Sequence, residues 1–341
     1  MTVVTTLAGP YFEDLRLGLS FDAPAVTLTE GHAALYQAIT GDRLALPLDH
    51  DSARKVTGLP RPLAHPMLAI NLAVGQTTWA SQRVKANLFY RGLILKQPVL
   101  LGDTLATTTR VVGLKQNTPK PGRPATGIVA LEMTTRNQQG DEVLHFWRCP
   151  MIPCRTDDAA TGHQDDLAKI GIETTAAEMC AAIPQGWQLD RMRIPQTPDA
   201  ISLAVGSQLR IEARDTVTSA PELVRLTLNM AMAHTDASLS YLGERLVYGG
   251  HTIAIAFAQL TRAIPSLITL VAWESCDHTA PVIENDRLRS AVTIVESTPV
   301  TAGRLLRLHV ETYATRSQPD EPSRETESKV LDWRLAVWCA R

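Results

Sequence analysis

The sequence predicts an α+β fold in which one unit is written twice, each copy a long antiparallel sheet round one apolar helix. Three observations lead there. Short segments recur in the same order in the two halves, each half holds one long apolar stretch, and each half closes on alternating β-branched runs. With 341 residues the chain is about twice the ~150 of a common single domain, which leaves room for such a duplication.

The repeat is read from three pairs. Val143-Leu144-His145-Phe146-Trp147-Arg148 is echoed by Val330-Leu331-Asp332-Trp333-Arg334, an offset of 187. Pro98-Val99 ahead of Gly102-Asp103-Thr104-Leu105 is echoed by Pro281-Val282 ahead of Asn285-Asp286-Arg287-Leu288, an offset of 183. Leu63-Ala64-His65 before an apolar run is echoed by Gly249-Gly250-His251 before another, an offset of 186.

Each copy opens on an extended lead-in, at 19–29 and 208–218. His65 and His251 then open the apolar segments 66–80 and 252–264, read as one buried helix per copy. Gly102-Asp103 and Asn285-Asp286 read as turns. Segments 104–112, 127–136 and 143–152 in the first copy, and 291–295, 305–313 and 329–338 in the second, alternate or run apolar and read as strands. The predicted organisation is a first unit at 1–154, a linker at 155–200 with a short helix near 173–182, and a second unit at 201–341.

Composition narrows the function classes. Lys plus Arg is 33 and Asp plus Glu is 35, a net charge of −2, which gives no nucleic-acid or anionic-membrane footprint. The longest apolar stretches, at 67–75 and 252–258, fall far short of the ~20 residues of a membrane span. The N-terminal residues carry no basic segment before an apolar core, and a cytoplasmic location is expected. Five cysteines, an odd number without zinc spacing, read as reduced thiols with no structural metal. Neither a phosphate-binding loop nor a Gly-x-Gly-x-x-Gly turn stands between a strand and a helix, which disfavours nucleotide hydrolysis and dinucleotide redox chemistry.

Thr40-Gly41-Asp42 followed by Ala64-His65-Pro66-Met67, then Phe89, Pro98-Val99 and Gly102-Asp103-Thr104-Leu105, resembles the MaoC-like, (R)-specific enoyl-CoA hydratase family. The match recurs in 201–341, so the resemblance implies a double hotdog, similar to the mesaconyl-CoA hydratase group. It also implies an acyl-CoA thioester substrate, with coenzyme A entering as part of that substrate and no separate cofactor. The duplicated chain is expected as a monomeric pseudo-dimer or a weak homodimer. A non-catalytic acyl-CoA-binding protein and a hotdog thioesterase are the rival readings.

Hydration of an enoyl thioester needs a base for water, an acid for the α-carbon, and an N–H donor for the thioester oxygen. The family supplies an Asp and a His five residues apart, and a donor just after the helix-opening His. In the first copy Asp42 is present, but Pro47 stands at the His position, and Pro66 at the donor position has no N–H. In the second copy the positions read Asn229, His234 and Thr252. The second copy is therefore expected to hold the site, with His234 acting either with Asn229 orienting water or with Asp236 as the carboxylate. Gly250 and His251 at the helix opening, and Asp277 and His278 from the polar run 274–278, are expected to line the acyl pocket. Tyr90, with Asn87 and Arg91, is expected to flank the same tunnel. Lys115, Lys120 and Arg123 on one loop are read as partners of the coenzyme A phosphates.

Overall fold

Eleven strands, among the described residues, pair antiparallel into one sheet with two buried helices packed on it. The structure, a computed structural model, describes residues 7–120, 122–171, 174–194, 201–318 and 321–340. The first copy runs β1 (Ser20–Asp22), β2 (Val26–Thr27), α1 (Glu30–Thr40), α2 (Ala45–Leu48), α3 (His50–Thr57), α4 (Pro66–Gln76), β3 (Ala86–Leu95), β4 (Thr104–Gln116), β5 (Thr126–Arg136) and β6 (Glu142–Pro153). A connecting segment with α5 (Ala176–Ala181) leads to β7 (Gln208–Thr216), α6 (Ala220–Leu226), α7 (Gly249–Ala263), β8 (Leu267–His278), β9 (Arg287–Val300), β10 (Gly303–Gln318) and β11 (Glu321–Cys339).

The strand order is β1-β4-β5-β6-β3-β8-β11-β10-β9-β7, with β2 also on β4. Each copy thus makes its own half-sheet, and the halves join where β3 pairs with β8, Tyr90 opposite Cys276 and Arg91 opposite Ser275. The two expected turns form as read: Gly102 and Asn285 both take the left-handed conformation, at φ 89° and 72°.

All eleven residues of α4 are buried, as expected of a helix apolar all round. The His65 side chain caps α4 by accepting the Met67 N–H through Nδ1 at 3.1 Å, and Pro66 occupies the first helical position, where an N–H would be idle. α7 starts earlier than the apolar run suggests, at Gly249. The strands of the second copy run longer than the sequence reading allowed, β11 above all.

The segment after the first unit lies on the molecule rather than spanning open space. Met179, Ile183, Trp187 and Met192 pack with Ile268, Val271, Leu305 and Trp338. β8 is interrupted by bulges against β11, and Ile268 and Val271 belong to this outer cluster whereas Leu267, Leu270 and Trp273 belong to the main core. Residues 195–200 of this segment, and Glu173 at the start of the expected helix, lie outside the described residues. No helix among the described residues is long and apolar enough to cross a membrane, and all five cysteines are free.

Close approach between the copies depends on glycine. A Cβ on Gly75 would lie 1.8 Å from the Thr227 carbonyl oxygen, so backbone would have to move. Gly75→Ala is expected to cost about 1–3 kcal/mol, the usual range for overpacking, read as a lower urea midpoint at unchanged slope.

Candidate active site

A cavity of about 250 Å³ lies between the copies, and both build its wall. The first supplies Val74 from α4, Thr78 and Ser81 from the turn after it, Asn87 and Tyr90 from β3, and Arg148 from β6. The second supplies Asn229, His234, Tyr248, Gly249, Thr252 and His278.

His234 ends a 3-10 turn, Met232–His234, and is buried. Its Nδ1 lies 2.7 Å from the Leu246 carbonyl oxygen, which assigns the proton to Nδ1 and leaves the Nε2 lone pair free. Burial pushes its pKa down to about 4, so the ring is neutral at pH 7. Asn229 lines the same cavity, with its Oδ1 accepting the Ala231 N–H at 2.9 Å; no hydrogen bond forms at its Nδ2, the end left for a ligand. His278 comes in from the end of β8, its Nε2 buried and without a partner, its ring 6.0 Å from that of Tyr90. Burial, and the neighbouring His234, lower its pKa to about 4. No carboxylate lines the cavity among the described residues.

The N-terminus of α7 supplies the donors. Its first N–H groups have no intrahelical acceptor, and His251 N–H already bonds the Tyr248 carbonyl at 2.8 Å. Gly249, the first helical residue, faces the cavity with its N–H at the positive end of the helix. In α4 the corresponding groups are spent: Pro66 has none, Met67 bonds His65 Nδ1, and Leu68 bonds the His65 carbonyl.

Thr252 lines the cavity on the same helix face as Gly249, and the Tyr248 carbonyl accepts from His251 rather than from Thr252. Several sequence expectations need correction. Gly250 and His251 do not reach the cavity, because 249 and 252 share one helix face and the residues between them point elsewhere. His251 is fully buried with neither ring nitrogen partnered, and burial pushes its pKa down to about 4. Asp236 is exposed and caps the turn Ala237–Leu239, accepting Ser238 N–H at 2.9 Å; residues 232–234 form a turn, so the extended geometry that would pair Asp236 with His234 is missing.

The polar run 274–278 is divided by the sheet. His278 faces the cavity, whereas Asp277 points to the other side and pairs with Arg91, and Glu274 pairs with Arg307. Lys115, Lys120 and Arg123 are exposed and line no part of the cavity. The register Lys115–Ile128–Met151–Ala86 puts Lys115 at the same end of the sheet as cavity residue Ala86, three strand spacings or about 14 Å away.

Tyr248 and Arg148 were not singled out from sequence. Tyr248 immediately precedes the Gly-Gly-His repeat, and Arg148 is the last residue of the echoed segment 143–148. The structure sets Phe146, not Trp147, in the inward place of Trp333, which carries the 187 offset unbroken and makes Leu335 the counterpart of Arg148. Period-two alternation along β6 was the signal available.

The pseudo-equivalent place in the first copy is closed to about 20 Å³. By the repeat offsets, Leu44, Pro47, Leu63, Pro66 and Leu95 stand for Ala231, His234, Gly249, Thr252 and His278, and Ala182, Pro184 and Trp187 of the connecting segment cover it. Asp42 is fully buried there, 3.1 Å from His65 Nε2, with Oδ1 accepting the Leu44 N–H at 2.7 Å and the Thr261 hydroxyl at 3.2 Å. It fastens α7 to the first copy instead of facing a ligand. As for metal, His309, Glu311 and Asp332 are the one such cluster among the described residues, and the Lys329 ammonium already sits on both carboxylates, at 3.0 and 2.8 Å.

Comparison with known proteins places this geometry. Residues 15–132 match the MaoC like domain. The chain is 30% identical to mesaconyl-CoA hydratase of Cereibacter sphaeroides, covering 92% of this chain and 94% of that one. It is 29% identical to beta-methylmalyl-CoA dehydratase of Chloroflexus aurantiacus, over 98% of each. A conserved hypothetical protein from Mycobacterium tuberculosis with a double hotdog fold superposes with a TM-score of 0.87, at 46% identity, over 98% of this chain and 99% of that one. The double hotdog that the resemblance implied is the fold of this chain.

Three buried imidazoles set the acid stability. His234, His251 and His278 have folded pKa values of about 4, below the ordinary 6.5, so between those values the unfolded chain binds more protons. Stability is full above pH 6.5 and falls as the pH drops towards 4. His251→Gln is expected to flatten that slope by on the order of 2 kcal/mol, relative to the original chain, in denaturation midpoints measured across the window.

Proposed function

As the chain belongs to the MaoC-like dehydratase family in its double-hotdog form, we propose that it adds water to an enoyl-CoA thioester, or removes it from the 3-hydroxyacyl-CoA, at the cavity between the copies. The observation that carries the reading is the neutral His234, with its Nε2 lone pair free, in a cavity headed by the N-terminus of α7.

In the hydration direction, Nε2 takes a proton from water as the water oxygen bonds to the β-carbon. Electrons of the double bond move to the thioester oxygen, which the Gly249 N–H and the helix dipole stabilise. The imidazolium then returns the proton to the α-carbon, and the thioester carbonyl re-forms. With no carboxylate lining the cavity among the described residues, His234 serves as base and then acid. Asn229 Nδ2 is placed to donate to the water or the new hydroxyl. Coenzyme A enters only as part of the substrate, and the exposed cations Lys115, Lys120 and Arg123 are proposed to meet its phosphates outside the cavity. Duplication supplies the pairing that a single unit would seek in a partner, so a monomer or weak homodimer is proposed.

The test is incubation with a panel of enoyl- and 3-hydroxyacyl-CoA esters followed by mass spectrometry. Gain or loss of water supports the reading. Release of free coenzyme A would make the chain a thioesterase, and binding without conversion would make it a non-catalytic acyl-CoA-binding protein.

His234→Ala is expected to lower kcat/KM by ~10²–10⁴, the range general acid–base groups contribute. Asp42→Asn, in the closed copy, is expected to lower it far less, as measured on folded protein in the same assay. Asn229→Asp can keep the Ala231 bond while bringing a carboxylate into the cavity, which favours the imidazolium. The acid limb of its kcat/KM profile is expected to move up from near pH 4 towards 6.5, and an unmoved limb would separate Asn229 from His234.

A further inference from the structure

The cavity holds a second imidazole that the reaction above leaves idle. His278 closes β8, opposite Leu331 of β11, and its Nε2 is buried with no hydrogen-bond partner among the described residues. The ring stands edge-on to that of Tyr90 from the first copy, at 6.0 Å and 70°, which limits how it can turn. Its Nε2 presses on the first residue of α7: a Cβ on Gly249 would lie 2.5 Å from Nε2 and 2.7 Å from Cε1. Glycine is therefore what lets the imidazole reach the helix end. In the closed copy the counterparts of both residues are leucines, Leu63 and Leu95.

A buried polar nitrogen without a partner carries a desolvation cost, and here it is kept where the sister copy has an apolar side chain. Its position supplies a reason. A thioester oxygen has two lone pairs, and the Gly249 N–H can satisfy one of them. The enolate that forms on water addition calls on both, and a donor fixed in advance at a desolvated site is worth far more than one in water. His234 is committed through Nδ1 to the Leu246 carbonyl and serves as the base, so the second imidazole is free for a different task. Burial keeps His278 neutral at pH 7, and a neutral imidazole can polarise a carbonyl without bringing a charge of its own to desolvate.

Resting on the hydratase reading above, we propose that His278 Nε2–H is the second donor to the thioester oxygen, completing with the Gly249 N–H an oxyanion site built from β8 and α7. His234 moves the proton, and His278 stabilises the charge which that movement creates. Nothing is transferred at His278. The double-bond electrons reach the thioester oxygen, both donors keep their protons, and the electrons return when the α-carbon takes the proton from the His234 imidazolium.

The test reads the carbonyl itself. Butyryl-CoA, isotope-labelled at the thioester carbon, has no double bond to hydrate, and the infrared stretch of its carbonyl falls as donors gather on the oxygen. The bound band is expected to lie below that of the free ester, and His278→Leu, which installs the closed copy's residue, to return it part of the way. The same variant is expected to lower kcat on an enoyl ester by about 10²–10³-fold with KM little changed, the usual loss for one oxyanion donor. His278→Gln sets an amide N–H₂ near the place of Nε2 and is expected to recover part of both effects. His278→Asn, whose amide falls nearer Nδ1, is expected to recover neither. A lowered kcat with the band unmoved would overturn the proposal in favour of an acid–base or packing role. Should no His278 variant fold, nitrogen magnetic resonance of the unaltered protein decides: a proton on Nε2 at pH 7 that shifts when butyryl-CoA binds is expected, and a proton on Nδ1 overturns the proposal. Because the band needs no turnover, the two readings fail separately. Water added at full rate by folded His278→Leu would overturn the donor pair and leave the hydratase reading standing. A band lowered through His278 in a chain that hydrates no ester of the panel would overturn the hydratase reading and leave the donor pair. An ester that does not bind, with a panel that does not react, would overturn both.

Discussion

The pairing of β3 with β8 is the constraint on which the rest of the molecule depends. It fuses two half-sheets into one and sets the first copy's Tyr90 opposite Cys276, two residues before His278. The cavity is consequently composite, with imidazoles and a helix N-terminus from one copy, and a guanidinium, an amide and a phenol from the other. Two identical chains joined in this way would carry two identical sites. A single chain is free of that symmetry, and here the copies have diverged in opposite directions.

Divergence is visible as chemistry exchanged for packing. At the closed site the positions of His234 and His278 hold Pro47 and Leu95, and Trp187 of the connecting segment packs on what remains. The Asp42–His65 pair survives inside the closed copy, but its bonds run to Leu44 and to Thr261 of α7, which makes it a fastener between copies. At the open site the electrostatics are those of a desolvated pocket. Burial keeps His234 and His278 neutral, the helix end supplies partial positive charge, and Arg148 supplies a whole one. Such a site suits a reaction in which negative charge develops on a bound thioester.

The duplication, the two central helices, the turns at Gly102 and Asn285, and most strands were legible in the sequence, because each is written as periodicity or as a residue with a local steric preference. His234 was reached through the family resemblance, whose His position it keeps where the first copy has Pro47. The misplaced residues have one physical source in common. Asp236, Asp277, Gly250 and His251 are polar or helix-opening residues close in sequence to true cavity residues, and only local backbone geometry decides which way each one points. A turn at 232–234, strand alternation at 274–278 and the start of α7 two residues before His251 made that decision. Arg148 was not singled out because the 187 offset sets it against Leu335, one residue past the echoed segment, and only the folded strand shows it at the cavity.

The central claim is that one composite site per chain holds the thioester against the N-terminus of α7. It is tested most directly by a crystal structure with a saturated acyl-CoA bound. The account predicts the thioester oxygen within hydrogen-bond distance of the Gly249 N–H and His234 Nε2 facing the β-carbon, with nothing bound in the first copy. An acyl group lodged among Leu44, Pro47 and Pro66, with the cavity at His234 empty, would contradict it.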